Sequence, residues 1–93
     1  MIIGTIKIKF YASWVHSLKE KRMIVKSICT KVRNKYNVSI AEVAEQDTPQ
    51  IIVLGIACVA GEMKLADSII DNILNFIEQC TGAEIIKIER EML

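Results

Sequence analysis

Five cations in the first third of the chain have the types and spacing expected of phosphate ligands. Lys19, Arg22 and Lys26 follow one another at intervals of three and four residues, and Arg33 comes seven residues later. At the helical period these four side chains fall on one side of a helix, with Lys21 at the rim. Because a row of cations on a helix can follow the phosphates of a nucleic acid, we predict phosphate contacts from all five.

The charge of the chain is divided unevenly between its two parts. Residues 1–38 hold nine Lys or Arg against one acid, a net charge of +8. Residues 39–93 hold ten acids against three bases, a net charge of −7, so the whole chain carries +1. Such a chain forms one basic and one acidic surface, unless the fold brings the two parts together. The early cations therefore either stay free for an anionic partner or pair with acids of the second half.

Trp14 and His16 are the only residues of their types, and they lie just before the basic cluster. Trp14 is a candidate for stacking on a base, or it caps the core at the end of the preceding strand. His16 has no Ser, Cys or carboxylate placed near it by a motif. We therefore assign it no catalytic role.

The sequence contains none of the common catalytic motifs. It has no glycine-rich phosphate loop, no G-x-S-x-G, no H-E-x-x-H and no C-x-x-C. Acylphosphatases share the element order derived below, but residues 12–16 lack the arginine and glycines of their phosphate cradle. We interpret Cys29, Cys58 and Cys80 as small buried hydrophobes, because they are widely spaced and odd in number. We expect no enzyme activity, cofactor, metal or small-molecule substrate.

Hydrophobic periodicity places these residues on a small α+β fold. Alternating apolar residues predict strands, and apolar residues three or four apart predict helices. Ser17 and Glu20 have the capping-box spacing of a helix start. The predicted elements are a strand over 2–12, a helix from Ser17 to 34–37, strands over 38–46 and 51–59, a helix over 62–81 and a strand over 83–92. The order β-α-β-β-α-β is the ferredoxin-like arrangement, a four-stranded antiparallel sheet with two helices on one face, in a single domain of residues 1–93.

The pattern also predicts local geometry. Alternation in the second strand slips by one residue, which indicates a bulge near Ala41–Glu42. Gly82 follows the second helix, where a glycine suits the left-handed conformation. In the last strand we expect Ile86 and Ile88 on one face and Ile85 on the other. The first and third strands are expected in the centre of the sheet, the other two at its edges.

The third strand is apolar on both faces, so one of its sides must face away from the helices. That side is either Ile51, Val53, Ala57 and Val59 or Ile52, Leu54, Ile56 and Cys58. An exposed apolar strip usually contacts a partner, which predicts a homodimer formed through the open face of the sheet. The alternative is cover by the side chains of Lys7, Lys9, Lys87 and Glu89.

Nothing in the chain predicts contact with a membrane. The longest apolar stretch, Ile51–Ala60, has only the length of a strand and contains Gly55. The N-terminus has no basic region before a long apolar segment, as a signal peptide would. We expect a cytoplasmic protein.

One run of residues resembles a known family. Residues 17–22 (S-L-K-E-K-R), just after the first strand and followed by M-I-V-K-S-I, are similar to the YlxP-like family of small bacterial proteins, whose function is unknown. The likeness continues at 37–43, 46–47 and 54–57, and so covers nearly the whole chain.

The resemblance implies a ferredoxin-like fold and no established activity. Members of the family are often encoded beside ribosome-maturation and translation-initiation genes, which implies a role at the ribosome or on RNA. Carried over to this chain, that role falls on Lys19, Lys21 and Arg22. Family members tend to carry a Trp in the turn where this chain has only residues 47–50 (D-T-P-Q), so no binding role is carried over to that turn. We predict an RNA-binding or ribosome-associated protein whose partner is rRNA or a ribosomal subunit, with a homodimeric interaction module as the alternative.

Overall fold

The chain forms one antiparallel sheet with two helices, in the predicted order of elements. The computed structural model describes residues 1–93. Its elements are β1 (Ile2–Tyr11), α1 (Leu18–Lys35), β2 (Ser39–Ala44), β3 (Ile51–Ala60), α2 (Met63–Cys80) and β4 (Glu84–Met92). The strands lie in the order β2-β3-β1-β4, and all three neighbouring pairs are antiparallel. The predicted ferredoxin-like fold is confirmed, with β1 and β3 in the centre.

Both helices pack on one face of the sheet, because each carries one apolar stripe. The core residues of this layer are Ile6, Ile8 and Phe10 of β1, Ile52, Leu54 and Ile56 of β3, Ile28 and Val32 of α1, and Ile70, Ile73 and Ile77 of α2. Full burial of one such side chain contributes about 1.5–3 kcal/mol, so this layer is the main source of stability. Neither helix combines the length and apolar character needed to cross a membrane.

α1 begins at the predicted cap. The Glu20 N–H donates to Ser17 Oγ (3.1 Å), which gives a partner to a backbone donor that has none within the helix. Ser17 Oγ in turn donates to Glu20 Oε1 (3.3 Å). Glu20 is the only acid of α1, and this bond keeps it at the N-terminal end, where the helix dipole favours an anion. All the other charged residues of α1 are cations.

The predicted bulge in β2 is confirmed, one residue later than expected. The register between β2 and β3 shifts between Glu42 and Ala44, which makes Val43 the extra residue. The Val43 side chain lies over Gly55 of β3. A Cβ at Gly55 would be 2.8 Å from Val43 Cγ1, so this close approach requires glycine.

β4 contains a second bulge that the sequence pattern did not indicate. Phe10 of β1 pairs with Ile85, whereas Ile8 pairs with Ile88. Ile86 is therefore the extra residue. Because directly paired residues share a face, Ile85 and Ile88 both point toward the helices. The predicted faces of β4 were wrong, since a bulge moves every preceding side chain to the opposite face.

α2 ends without a left-handed glycine, so the prediction for Gly82 was wrong. The helix stops at Thr81, whose backbone is extended (φ −143°), and no glycine of the chain has a positive φ. Thr81 Oγ1 accepts a hydrogen bond from the Ala83 N–H (3.1 Å). A side-chain hydroxyl therefore stabilises the exit from the helix in place of a glycine.

Candidate nucleic-acid interface

α1 presents a row of cations that no carboxylate neutralises. Among the Lys and Arg residues of α1, only Lys21 forms an ion pair. Lys19, Arg22 and Lys26 are exposed and lie on the flank of α1 nearer to β2. At 1.5 Å per residue, the row from Lys19 to Arg33 is about 21 Å long. The alternative of internal pairing with acids of α2 does not hold for this row.

Arg33 belongs to this row but is partly engaged with the sheet. Its Nη2 donates to the Ile40 carbonyl oxygen of β2 (2.8 Å). A carbonyl does not neutralise the guanidinium, and four of its five N–H donors remain for other partners. Arg33 therefore ties α1 to the edge strand and keeps its positive charge.

On the opposite flank, Lys35 packs against an aromatic ring instead of an acid. Lys35 Nζ lies 4.6 Å from the ring centroid of Phe76 in α2. Such a contact stabilises the helix pair by a cation–π interaction and leaves the charge in place. Both flanks of α1 consequently carry cations that no carboxylate neutralises.

Lys21 is not part of the phosphate row, and the prediction that it contacts phosphate is wrong. Only 1% of its surface is exposed. Its Nζ lies 2.9 Å from Glu42 Oε2 and donates to the carbonyl oxygens of Thr48 (2.9 Å) and Glu45. Glu42 Oε2 is buried and accepts no hydrogen bond of good geometry, so the ion pair alone balances its charge. An ammonium held by three oxygens inside the protein cannot reach a phosphate.

A signal for the burial of Lys21 was present in the sequence. Lys21 precedes Val25 by four residues and Ile28 by seven, so it lies on the apolar stripe of α1 and not at its rim. A buried cation needs oxygen partners, and Lys21 finds them in β2 and in the turn before β3. In that turn Glu45 has a left-handed φ of 57°. The turn at residues 47–50, to which the resemblance assigned no binding role, is therefore held in place by Lys21 of α1.

Trp14 lies at the surface rather than in the core. It is 47% exposed, whereas Ala12 and Val15 of the same loop are fully buried and fill the end of the core. Its ring leans toward the backbone of Gly82, where a Cβ would lie 3.9 Å from Trp14 Cη2. Trp14 therefore does not cap the core, and its ring is accessible to a partner.

The remaining chemistry-bearing residues form no further site. Cys29 and Cys58 are buried, as interpreted from the sequence, and Cys80 is half-buried. Burial raises the pKa of the Cys29 thiol, although the nearby Arg33 acts in the opposite direction. His16 is exposed. No three His, Cys, Asp or Glu side chains come together as a metal site requires.

The open face of the sheet is less apolar than predicted. The side of β3 that faces away from the helices is the one with Val53 and Val59; Val59 is 66% exposed, but Val53 only 3%. The Glu89 carboxylate of β4 forms ion pairs with Lys7 and Lys87, each at 3.0 Å. Charged side chains therefore cover the part of this face formed by β1 and β4, and the exposed apolar residues lie on the side of β3 and β2.

A trough of about 610 Å³ lies across the same face, between β2 and β4. Its lining includes small residues of β2 and β3, namely Ala41, Gly55 and Ala57, together with Val43. Self-association through this face stays a prediction.

Comparisons with known proteins agree with the fold and leave the activity open. A family model described as "Protein of unknown function (DUF503)" matches residues 3–90. The uncharacterized protein YlxP of Bacillus subtilis (strain 168) is 45% identical over 62 residues, which are 67% of this chain and 67% of that protein. Two de novo designed proteins have similar structures. The design LFR1 1, described as having a ferredoxin fold, has a TM-score of 0.60 and 24% identity and covers 99% of this chain and 85% of its own. Foldit4 has a TM-score of 0.52 and 14% identity, with 99% and 94% covered, and at these identities both designs show the fold alone.

Proposed function

The chain belongs to the DUF503 family of proteins of unknown function, and from this premise we propose that it is a non-enzymatic cytoplasmic protein that binds RNA at the ribosome. The resemblance to YlxP-like proteins read from residues 17–22 is confirmed by this membership. The family supplies no activity, so the proposal rests on the surface of the chain itself. The observation that carries it is the unpaired row of Lys19, Arg22, Lys26 and Arg33 on α1.

The length and rigidity of the row favour a polyanion as the partner. A single acidic side chain engages one or two cations, whereas four cations over about 21 Å match a chain of phosphates. Neutralising successive phosphates releases counterions, and this release supplies most of the sequence-independent affinity. Asp67 and Asp71 of α2 do not compete, because both are engaged with Arg90 of β4.

The test is a variant that removes three cations of the row, Lys19→Ala/Arg22→Ala/Lys26→Ala. Binding of rRNA, or of a ribosomal subunit, is measured over a range of salt concentrations. We expect the slope of log affinity against log salt to fall by about 2, because each phosphate contact on a single strand contributes about 0.7. Affinity at physiological salt falls by at least about tenfold for three lost contacts.

The matched control removes the same charge elsewhere, with Lys9→Ala/Lys31→Ala/Lys64→Ala. None of these three lysines forms an ion pair, and none lies in the row. Both triple variants have the same net charge, so a difference between them reports position and not long-range attraction. Equal affinity and equal slope for the wild type and the row variant would contradict the proposal.

Association with the ribosome itself is tested in a lysate of the protein's own cells. We expect the protein to sediment with a ribosomal particle and to be released by nuclease treatment. Sedimentation that persists after complete nuclease digestion would indicate a protein partner and contradict RNA binding.

A second function, a homodimeric interaction module, is favoured by the trough beside Val43 and by the exposure of Val59. Ala57→Arg, which places a charged side chain in the trough, is expected to convert the dimer to a monomer. Sedimentation equilibrium at micromolar concentration measures this, with Thr30→Arg on the exposed side of α1 as the control. A wild type that is already monomeric would contradict the second function.

A further inference from the structure

We infer that the groove between α1 and α2 binds an unpaired nucleobase, so that the protein selects single-stranded RNA over duplex RNA. The inference rests on the proposed function and names the form of RNA that the site accepts. The groove lies between the beginning of α1 and the end of α2 and has a volume of about 310 Å³. Its lining includes Trp14, Met23, Ile24, Ser27, Cys80 and Gly82.

The groove exposes two large side chains that suit the face of a base. Trp14 is 47% exposed and Met23 is 66% exposed, although both have apolar surfaces that pack well. Aromatic rings and thioethers bind π faces with little dependence on base identity. Ser27 is exposed and adds a hydroxyl that can both donate to and accept from a base edge.

The groove lies on the flank of α1 that faces α2, and its exposed residue Met23 is the point at which it approaches the cation row on the other flank. Met23 follows Lys19 by four residues and precedes Lys26 by three, so helix geometry places it next to both. A phosphate on these lysines therefore lies within one helical turn of the groove. No Asp or Glu lines the groove, so nothing there repels an anionic strand. This charge complementarity distinguishes a nucleotide from a neutral or basic peptide as the occupant.

Only an unpaired base can occupy such a groove. In a duplex the faces of the bases are stacked on their neighbours and their edges are paired, and the major groove of A-form RNA is too narrow for side chains. Single strands expose base faces, on which aromatic side chains stack. A duplex is consequently limited to the phosphate contacts of α1.

The first experiment uses Trp14 as its own reporter, because it is the only tryptophan. Fluorescence is titrated with oligouridylate, oligoadenylate and an RNA duplex of equal length. We expect quenching by both single strands and little change with the duplex. Trp14→Ala should lower single-strand affinity by about 5- to 150-fold, the range of one base–aromatic stack, with duplex affinity and the salt slope unchanged. Trp14→Phe should restore most of the loss.

The matched control is Tyr11→Ala, since Tyr11 is an exposed aromatic residue of β1 outside the groove. It is expected to bind both forms of RNA as the wild type does. A second measurement follows alkylation of Cys80, which is selective because Cys29 and Cys58 are buried. Oligouridylate should slow the modification of Cys80, and the duplex should not.

The outcomes separate this inference from the proposed function. Single-stranded RNA that binds through the row without changing Trp14 fluorescence or Cys80 alkylation would overturn the inference and leave the proposed function in place. Absence of any RNA binding would overturn both. Equal quenching by oligouridylate and polyglutamate would assign the groove to acidic peptides and overturn the inference.

Discussion

The two edge strands are each joined to a helix by a cation, and the two joints differ in burial. On the β2 side, Lys21 of α1 is buried against Glu42 of the strand and two carbonyls of the following turn. On the β4 side the cation belongs to the strand and the acids to the helix. Arg90 of β4 forms ion pairs with Asp67 (2.8 Å) and Asp71 (2.6 Å) of α2. There the Arg90 side chain keeps 31% of its surface exposed, and both aspartates are in water.

The difference shows how the chain uses its uneven charge. Acids of the second half pair with cations inside their own part of the sheet, at Arg90 and Lys87, and one pair reaches Lys7 of β1. α1 contributes only Lys21 to such pairing. The remaining cations of α1 form no ion pair and are therefore free for an external anion.

The largest expected effect is at the buried joint. Lys21→Met removes the ammonium and leaves the Glu42 carboxylate and two carbonyl oxygens without a partner. Breaking a buried pair in this way lowers the free energy of unfolding by about 3–5 kcal/mol. Urea denaturation measures it, with the exposed Lys26→Met as the control, which should change stability by less than about 0.5 kcal/mol. Similar values for the two variants would contradict the buried joint.

The next effect concerns the close contact between β2 and β3. Gly55→Ala places a methyl group 2.8 Å from Val43 Cγ1, so the bulge must shift. Overpacking of this kind costs about 1–3 kcal/mol. The control is Gly61→Ala, because a Cβ at Gly61 meets nothing within 4 Å. Thermal unfolding of Gly55→Ala/Val43→Ala should recover much of the loss, and no recovery would show that another contact is responsible.

A smaller effect is expected at the exposed joint. The hydrogen bond to Asp71 raises the pKa of Arg90 above its ordinary value. Arg90→Ala should nevertheless lower the free energy of unfolding by only about 0.2–1 kcal/mol, because water and salt screen exposed pairs. The loss should shrink at high salt in urea denaturation. A loss as large as that of Lys21→Met would remove the contrast between the two edges.

The smallest effect is a pH dependence on the open face. The hydrogen bond from Lys7, and next that from Lys87, lowers the pKa of Glu89 below its ordinary value of 4.5. Since this pKa is lower in the folded than in the unfolded state, the pair stabilises the fold above pH 4.5, and the contribution is lost as pH falls through the lower folded value. Carboxyl titration by NMR should show a midpoint that rises in Lys7→Ala. An unchanged midpoint would contradict the pairing.

Sequence patterns predicted the order of elements because their signals are local. Alternation in β1, the Ser17 cap and the apolar stripe of α2 depend on residues close in the chain, and each appears where predicted. The bulge at Ile86 has no such signal, since consecutive isoleucines fit either face of a strand. Its position depends on pairing with β1, which lies more than seventy residues away in sequence.

The candidate site was predictable only in part, for the same reason. Helical spacing placed Lys19, Arg22 and Lys26 on one flank, and they lie there unpaired. Lys21 was misassigned because its oxygen partners come from β2 and the turn after it. The groove at Trp14 was not predicted, because its two walls belong to helices that meet only in the folded protein.

The bulge at Ile86 also affects whether β4 can pair with a strand of another molecule at high protein concentration. β4 is nine residues long and exposed on most of its surface, and such an edge offers unpaired backbone groups to the sheet of another molecule. The inserted residue interrupts the regular spacing of those groups, and the charges that follow it repel a flat neighbour. The bulge at Ile86 and the charges after it therefore make this edge a poor template for a strand of another molecule.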